Sequence, residues 1–205
     1  MASHTATISS ESELVPENYF VPVDLACVFA RKAPLEVDLG CGEGSFLADI
    51  AAENPGRNFL GIERQAGRVR SACRKIERSG LTNARVLASE ISYAVGRMLP
   101  ANSITTFHLL FPDPWPKRRH AGRRLVTDSF LAAVHRALHP GGLFHLATDH
   151  LPYFEEISRR ASVAPNFSAI APVRASAALS KFEKIFKRHN VEIHRLSLRK
   201  ISPVT

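Results

Sequence analysis

The chain has 205 residues, of which 45% are hydrophobic and 22% charged, the balance of a globular domain rather than of a disordered or fibrous chain. That length fits one domain and buries roughly 70% of the unfolded surface, enough for a self-supporting core. It contains no run of about 18 apolar residues, which excludes a membrane-spanning helix.

Met1–Glu13 carries no Lys, no Arg and no apolar stretch, so it does not read as a secretory signal. Cys27, Cys41 and Cys73 are odd in number and far apart, with no CxxC pair. They predict reduced thiols in a cytoplasmic protein, not a disulfide framework or a zinc site. The net charge is +8 and unevenly spread: Met1–Glu63 holds 3 basic and 10 acidic residues, Arg64–Thr205 holds 24 and 9. A basic region of that size suits a polyanion such as nucleic acid, or else Arg-rich helices that face water.

Residues 1–13 read as a loose tail and 14–33 as an entry segment, with the main domain over 34–205. After Pro34 short apolar runs fall at Leu35–Leu39, Asn58–Ile62, Ala84–Leu87, Ile104–Phe111 and Gly142–Ala147. Helical periodicity fills the intervals, as in Gln65–Ser79 (Val69, Ala72, Cys73, Ile76) and Arg124–His139 (Val126, Phe130, Val134, Leu138). This alternation predicts an α/β fold, a doubly wound and mostly parallel sheet with helices on both faces. Ligands of such folds bind beyond the carboxyl ends of the strands, which is where functional residues are to be sought.

The first strand runs into Asp38-Leu39-Gly40-Cys41-Gly42-Glu43-Gly44, ahead of a helix carrying Phe46, Leu47 and Ile50. Glycines at such a junction let the backbone turn sharply and approach a ligand. A dinucleotide fingerprint would place its third glycine at Ser45, so the spacing suits a ligand without a pyrophosphate. The second strand ends at Glu63, 23 residues beyond Gly40, where a carboxylate can accept from both hydroxyls of a ribose. Glu90, after the third strand, is placed to serve an adenine amine. Together these acids and glycines look like the pattern of class I S-adenosylmethionine (SAM) methyltransferases. A nicotinamide site or an unoccupied tight turn are the other readings.

The fourth strand delivers Phe111-Pro112-Asp113-Pro114-Trp115-Pro116, followed by Lys117–Arg124, in which five of eight residues are Lys or Arg. Three prolines restrict the backbone, so Asp113 is presented rigidly. Trp115, the only tryptophan, reads as a stacking surface for a base, or alternatively as packing for the loop. The basic run has phosphate-binding density, though a solvated surface has the same composition. Asp149, after the fifth strand, is either a further acceptor or the cap of a helix starting near Leu151. His135 and His139 are spaced i, i+4, but Arg136 stands where a zincin needs Glu, so no metal site is expected.

The stretches FPDPWPKRRHAGRR, LEVDLGCGEGSFL, FLGIE, LATDHLPYF and SKFE resemble the bacterial tRNA (guanine-N7-)-methyltransferase family, from about Leu35 through the SKFE segment. The resemblance implies SAM as methyl donor and tRNA as substrate, with the variable loop as target. It places cofactor contacts at Asp38, Gly40, Gly42, Glu63, Glu90 and Asp113, and a catalytic role at Asp113. Substrate contacts fall on Lys117, Asp149, Ser180, Lys181, Phe182 and Glu183. Ser180 stands where Thr is usual, Glu90 where Asp is common and Gly122 where a basic residue is usual. The tail after Glu183 is the least similar part. Nothing in the sequence distinguishes a monomer from a homodimer.

Two other readings remain on the residues alone. One is a methyltransferase of the same fold with another substrate, a nucleic-acid base amine or a small molecule. The other is a non-catalytic RNA-binding remnant of the fold, which the full set of acids disfavours.

Overall fold

A computed structural model describes residues 7–8, 11–172 and 180–201. The elements, in chain order, are β1 (Thr7–Ile8), β2 (Glu13–Val15), β3 (Leu35–Leu39), α1 (Ser45–Glu53), β4 (Asn58–Glu63), α2 (Ala66–Arg78), β5 (Ala84–Ala88), a short α3 (Ile91–Tyr93) continuing as a π-helical turn (Ala94–Met98), β6 (Ile104–Leu110), a 3₁₀ segment (Arg118–Arg123), α4 (Asp128–Ala137), β7 (Leu138–Thr148), α5 (Leu151–Val163), β8 (Phe167–Ile170), α6 (Lys181–Arg188) and β9 (His194–Lys200). All five predicted strands form.

Among the described residues the strands make one sheet in the order β1-β2-β5-β4-β3-β6-β7-β9-β8. The run from β2 to β7 is parallel, whereas β1, β9 and β8 pair antiparallel at the edges. The chain moves outward from β3 through β4 to β5, then returns to place β6 on β3's other side. The switch point therefore lies between β3 and β6, where a doubly wound sheet leaves a crevice.

Side chains alternate between the two faces. In β4, Leu60 and Ile62 join a core with Phe130, Val134, Tyr153 and Ile157 of α4 and α5, whereas Phe59 joins a second core with Leu47, Ile50, Val69 and Ile76 of α1 and α2. Towards α1 the middle of the sheet is polar instead. Buried Glu36 accepts from Arg57 at 2.8 Å and pairs with Nε2 of His108 at 2.7 Å. His108 stacks on His145, whose Nδ1 lies 2.8 Å from the Ser197 hydroxyl. His108, His145 and Ser197 are successive cross-strand partners on β6, β7 and β9, and Glu36 reaches His108 diagonally, two residues before its partner Asp38 on β3.

Three differences from the sequence reading have physical causes. The entry segment is part of the packed unit: β2 pairs with β5, and Leu14, Val23, Val28 and Phe29 are buried in the larger core. The helix expected over Arg124–His139 is α4, shorter at both ends. The Thr127 side chain caps its start by accepting from the Phe130 amide at 3.1 Å, and the chain turns extended at Leu138 ahead of Pro140-Gly141. The fifth strand therefore starts at Leu138 rather than Gly142, with a register irregularity opposite Ile104/Thr106. The tail after Glu183, which had no element assigned, supplies β9.

Candidate active site

The crevice over the carboxyl ends of β3, β4 and β6 is a cavity of about 1260 Å³. Its floor is the turn between β3 and α1. Gly40 and Cys41 both donate to the Ile62 carbonyl, at 2.8 and 3.0 Å, which pins the turn over β4. Gly44, at the N-terminus of α1, has φ of 72° and lies so near α2 that an added Cβ would stand 2.7 Å from the Ala72 Cβ. Only glycine meets both demands. Gly42 also has positive φ, but faces open space.

Two carboxylates rise beside this turn. Glu63 is buried and held by backbone, its oxygens accepting from the Gln65 amide at 2.9 Å and the Gly42 amide at 3.2 Å. The remaining lone pairs are available to a ligand, and two vicinal hydroxyls are the donors such an acceptor suits. Asp38 is also buried, yet its side chain has no hydrogen-bond partner among the described residues although it lines the cavity. Burial, and then the nearby Glu63 carboxylate, push its pKa up to about 7. A buried carboxylate in that position suits a cationic ligand group, which would relieve its desolvation. These two acids and the open Gly42 fit SAM, which carries an ammonium, a sulfonium and a ribose diol. Glu90 lines the cavity as well, with one oxygen accepting from the Tyr93 amide at 2.8 Å as the cap of α3.

The opposite wall comes from the loop after β6. Phe111 and Trp115 both adopt left-handed backbone, with φ of 55° and 43°, a conformation that costs a bulky residue on the order of 1–3 kcal/mol. Asp113 lies between them, exposed and lining the cavity. The strained segment is held from both ends. The Phe111 amide donates to the Ala147 carbonyl at 2.8 Å, and its ring packs against Phe186 and Phe182 of α6 with centroids 5.1 and 6.2 Å apart. On the far side, Arg124 donates from Nε to the Pro114 carbonyl at 2.9 Å, forms an ion pair with Glu156 of α5 and lies over the Tyr153 ring.

Most predicted site residues meet in this cavity: Asp38, Gly40, Gly42, Glu63, Glu90, Asp113, Asp149, Ser180 and Phe182 all line it. Lys117 is exposed but does not line it. Glu183 is buried, bonded to Arg195 at 2.5 Å and off the lining, while Ser180 caps α6 by accepting from the Glu183 amide at 3.1 Å. The side chain of Lys181 lies outside the described residues. The cap of α5 is His150, whose Nδ1 accepts from the Tyr153 amide at 3.2 Å, which leaves Asp149 free of that duty. Trp115 is already in contact with protein, with the Arg123 guanidinium 5.0 Å over its ring and His120 edge-on. Sequence reasoning missed Phe111 and Phe186 as cavity walls. In the sequence Phe111 marks the end of an apolar run and the start of the Pro-rich loop, with no role of its own, and Phe186 shows no signal beyond its spacing of four from Phe182.

Residues 32–196 match the model of a methyltransferase family, Methyltransf_4, described as "Putative methyltransferase". The chain is 37% identical over 169 residues to a tRNA (guanine-N(7)-)-methyltransferase of Cronobacter sakazakii, covering 80% of this chain and 71% of that one. It is 32% identical over 205 residues to that of Syntrophotalea carbinolica, covering 98% and 88%. Among solved structures, the antibiotic-resistance methyltransferase Kmr superposes with a TM-score of 0.63 at 19% identity, over 92% of this chain and 95% of that one. A SAM-dependent methyltransferase from Aquifex aeolicus does so with a TM-score of 0.59 at 16% identity, over 83% and 84%. The sheet order and the crevice at its switch point are thus those of a SAM-dependent methyltransferase fold, and the chain belongs to the tRNA (guanine-N(7)-)-methyltransferase family.

Proposed function

We propose that this chain transfers the methyl group of SAM to N7 of a guanosine in the variable loop of tRNA. The observation that carries the reading is the convergence of Asp38, Glu63 and Asp113 on one crevice, in a chain of this family. SAM supplies an electrophilic methyl on a sulfonium. Asp38 takes the cationic end of the cofactor and Glu63 the ribose hydroxyls, each from the end of its own strand.

Guanine N7 carries an in-plane lone pair and needs no base to make it nucleophilic. The ring becomes cationic as the methyl arrives, so catalysis rests on alignment and on negative charge placed near the ring. Asp113 holds the guanine N1–H/N2–H edge and stabilises that growing charge. Its braced backbone suits this role, because a fixed carboxylate needs no reorganisation during transfer. Phe182 and Asp149 line the acceptor side of the cavity, where ring and edge contacts with the base are available. Ser180 and Glu183 act by setting the start of α6, which carries Phe182.

The test is incubation of the protein with isotope-labelled SAM and an unmodified tRNA transcript, followed by nucleoside analysis and mapping. Label is expected in 7-methylguanosine within the variable loop. Label in another nucleoside, or none, overturns the reading.

A further inference from the structure

Among the described residues, many cations are already held by the fold. Arg57, Arg124, Arg160, Lys184 and Arg195 each bind a carboxylate of the chain, and Arg136 donates to the carbonyls of Val95 and Leu99 at 2.7 and 2.8 Å. These are structural.

The segment from Arg64 through α2 differs. It holds six basic residues (Arg64, Arg68, Arg70, Arg74, Lys75, Arg78) against one acid, Glu77. Lys75 bonds the Ser45 hydroxyl at 2.6 Å and ties α2 to α1. The five arginines are exposed, and among the described residues none has a carboxylate partner. Val69, Ala72, Cys73 and Ile76 anchor the helix in the core, so the opposite side is given over to cations. Arg70, Arg74 and Arg78 follow one another at i, i+4 and repel. Arg74 donates to the Ser71 hydroxyl at 3.1 Å and Arg78 to the Arg74 carbonyl at 3.2 Å, bonds that stay within the helix. Among the described residues no carboxylate pairs with them to offset this repulsion.

The position of α2 is equally specific. β3 is flanked by β4 and β6. β6 leads into the basic Lys117–Arg124 loop, and β4 leads through Arg64 into α2. Arg64 and Arg68 line the cavity from one side as Arg123 does from the other. Among the described residues, cations without a carboxylate partner therefore stand on both rims of the crevice that holds Asp113.

We propose that the exposed arginines of α2 form a second phosphate-binding rim, so that the substrate RNA straddles the crevice with its backbone held on both sides of the reacting base. The proposal rests on RNA being the substrate. A polyanion with closely spaced phosphates fits a row of guanidiniums along a helix, because each neutralised phosphate releases bound counterions.

The test uses the full chain carrying Arg70→Gln and Arg74→Gln, since neither residue lines the cavity. Binding of the unmodified tRNA transcript is titrated at several salt concentrations, and SAM affinity is measured by calorimetry. The expected result is a tRNA Kd raised by about tenfold or more at low salt and a log Kd–log salt slope reduced by about 1.5–2. SAM affinity should be unchanged, and Arg70→Lys with Arg74→Lys should restore the slope. An unchanged slope in the Gln pair, with wild-type protein still forming 7-methylguanosine, overturns the α2 rim alone. A slope lowered equally in the Lys pair overturns its electrostatic basis. Failure of wild-type protein to methylate the transcript instead overturns the reading on which the proposal rests.

Discussion

Arg124, at the end of the basic run, forms an ion pair with Glu156 of α5 and so ties the loop after β6 to a helix behind the sheet. Its Nε also donates to the Pro114 carbonyl, one residue beyond Asp113. Arg124 is therefore a positioning residue rather than a phosphate contact. Arg124→Gln should cost about 2–3 kcal/mol of stability, because Glu156 is left half-buried with fewer partners. Turnover should fall, while the salt dependence of tRNA binding stays as in wild type. By contrast, the exposed Arg119 and Arg123 should each lower the salt slope by about one when changed to Gln. Denaturant melts and salt titrations on the three variants check the distinction.

Asp113 lies between two left-handed residues on a loop fixed at both ends. Asp113→Ala removes the carboxylate without disturbing either anchor. Turnover should drop by about a hundredfold or more, the scale of a lost electrostatic contact in a transition state, while tRNA affinity changes little. An inactive variant that has also lost tRNA binding would contradict the role.

Asp38 makes a pH-dependent prediction whose sign follows from burial. Its carboxyl is pushed up to about 7 by desolvation and then by Glu63, so the folded protein holds that proton more tightly than the unfolded chain does. The ligand-free protein therefore loses stability from this group as pH rises from about 4 to about 7. Asp38→Asn should raise the ligand-free Tm above pH 7 and leave it nearly unchanged below pH 4. A cationic ligand needs the ionised form, so SAM should bind more tightly as pH rises towards 7, by up to about tenfold per unit. Calorimetry across this range, with Asp38→Asn as the variant that loses the trend, is the check.

Gly44 and Gly42 separate packing from ligand access. Gly44→Ala places a Cβ 2.7 Å from Ala72 in a left-handed backbone, and should cost about 2–5 kcal/mol in urea unfolding. Gly42→Ala meets no atom within 4 Å, so only backbone strain of about 1–2 kcal/mol is expected. Its larger effect should be on SAM affinity, because the added methyl narrows the cavity.

The sequence by itself determined the five central strands, the helices after the first two, and the chain positions of Asp38, Glu63, Glu90 and Asp113. These are local signals: apolar runs, helical periodicity, and glycine or proline where the backbone must turn. Their functional grouping was also legible, because a doubly wound sheet gathers its strand ends on one edge. Tertiary structure decided what depends on partners distant in the chain. Leu14, Val23 and Phe29 enter the core because β2 finds the edge of β5, which no local pattern announces. Glu183 turns inward because Arg195, on a strand formed by the weakly patterned tail, lies beside it. Above all, which arginines are already paired with a carboxylate emerges only once the fold has brought Glu36 to Arg57 and Glu156 to Arg124. A side chain's charge is written in the sequence, but whether that charge is already spent depends on which carboxylates folding places within reach.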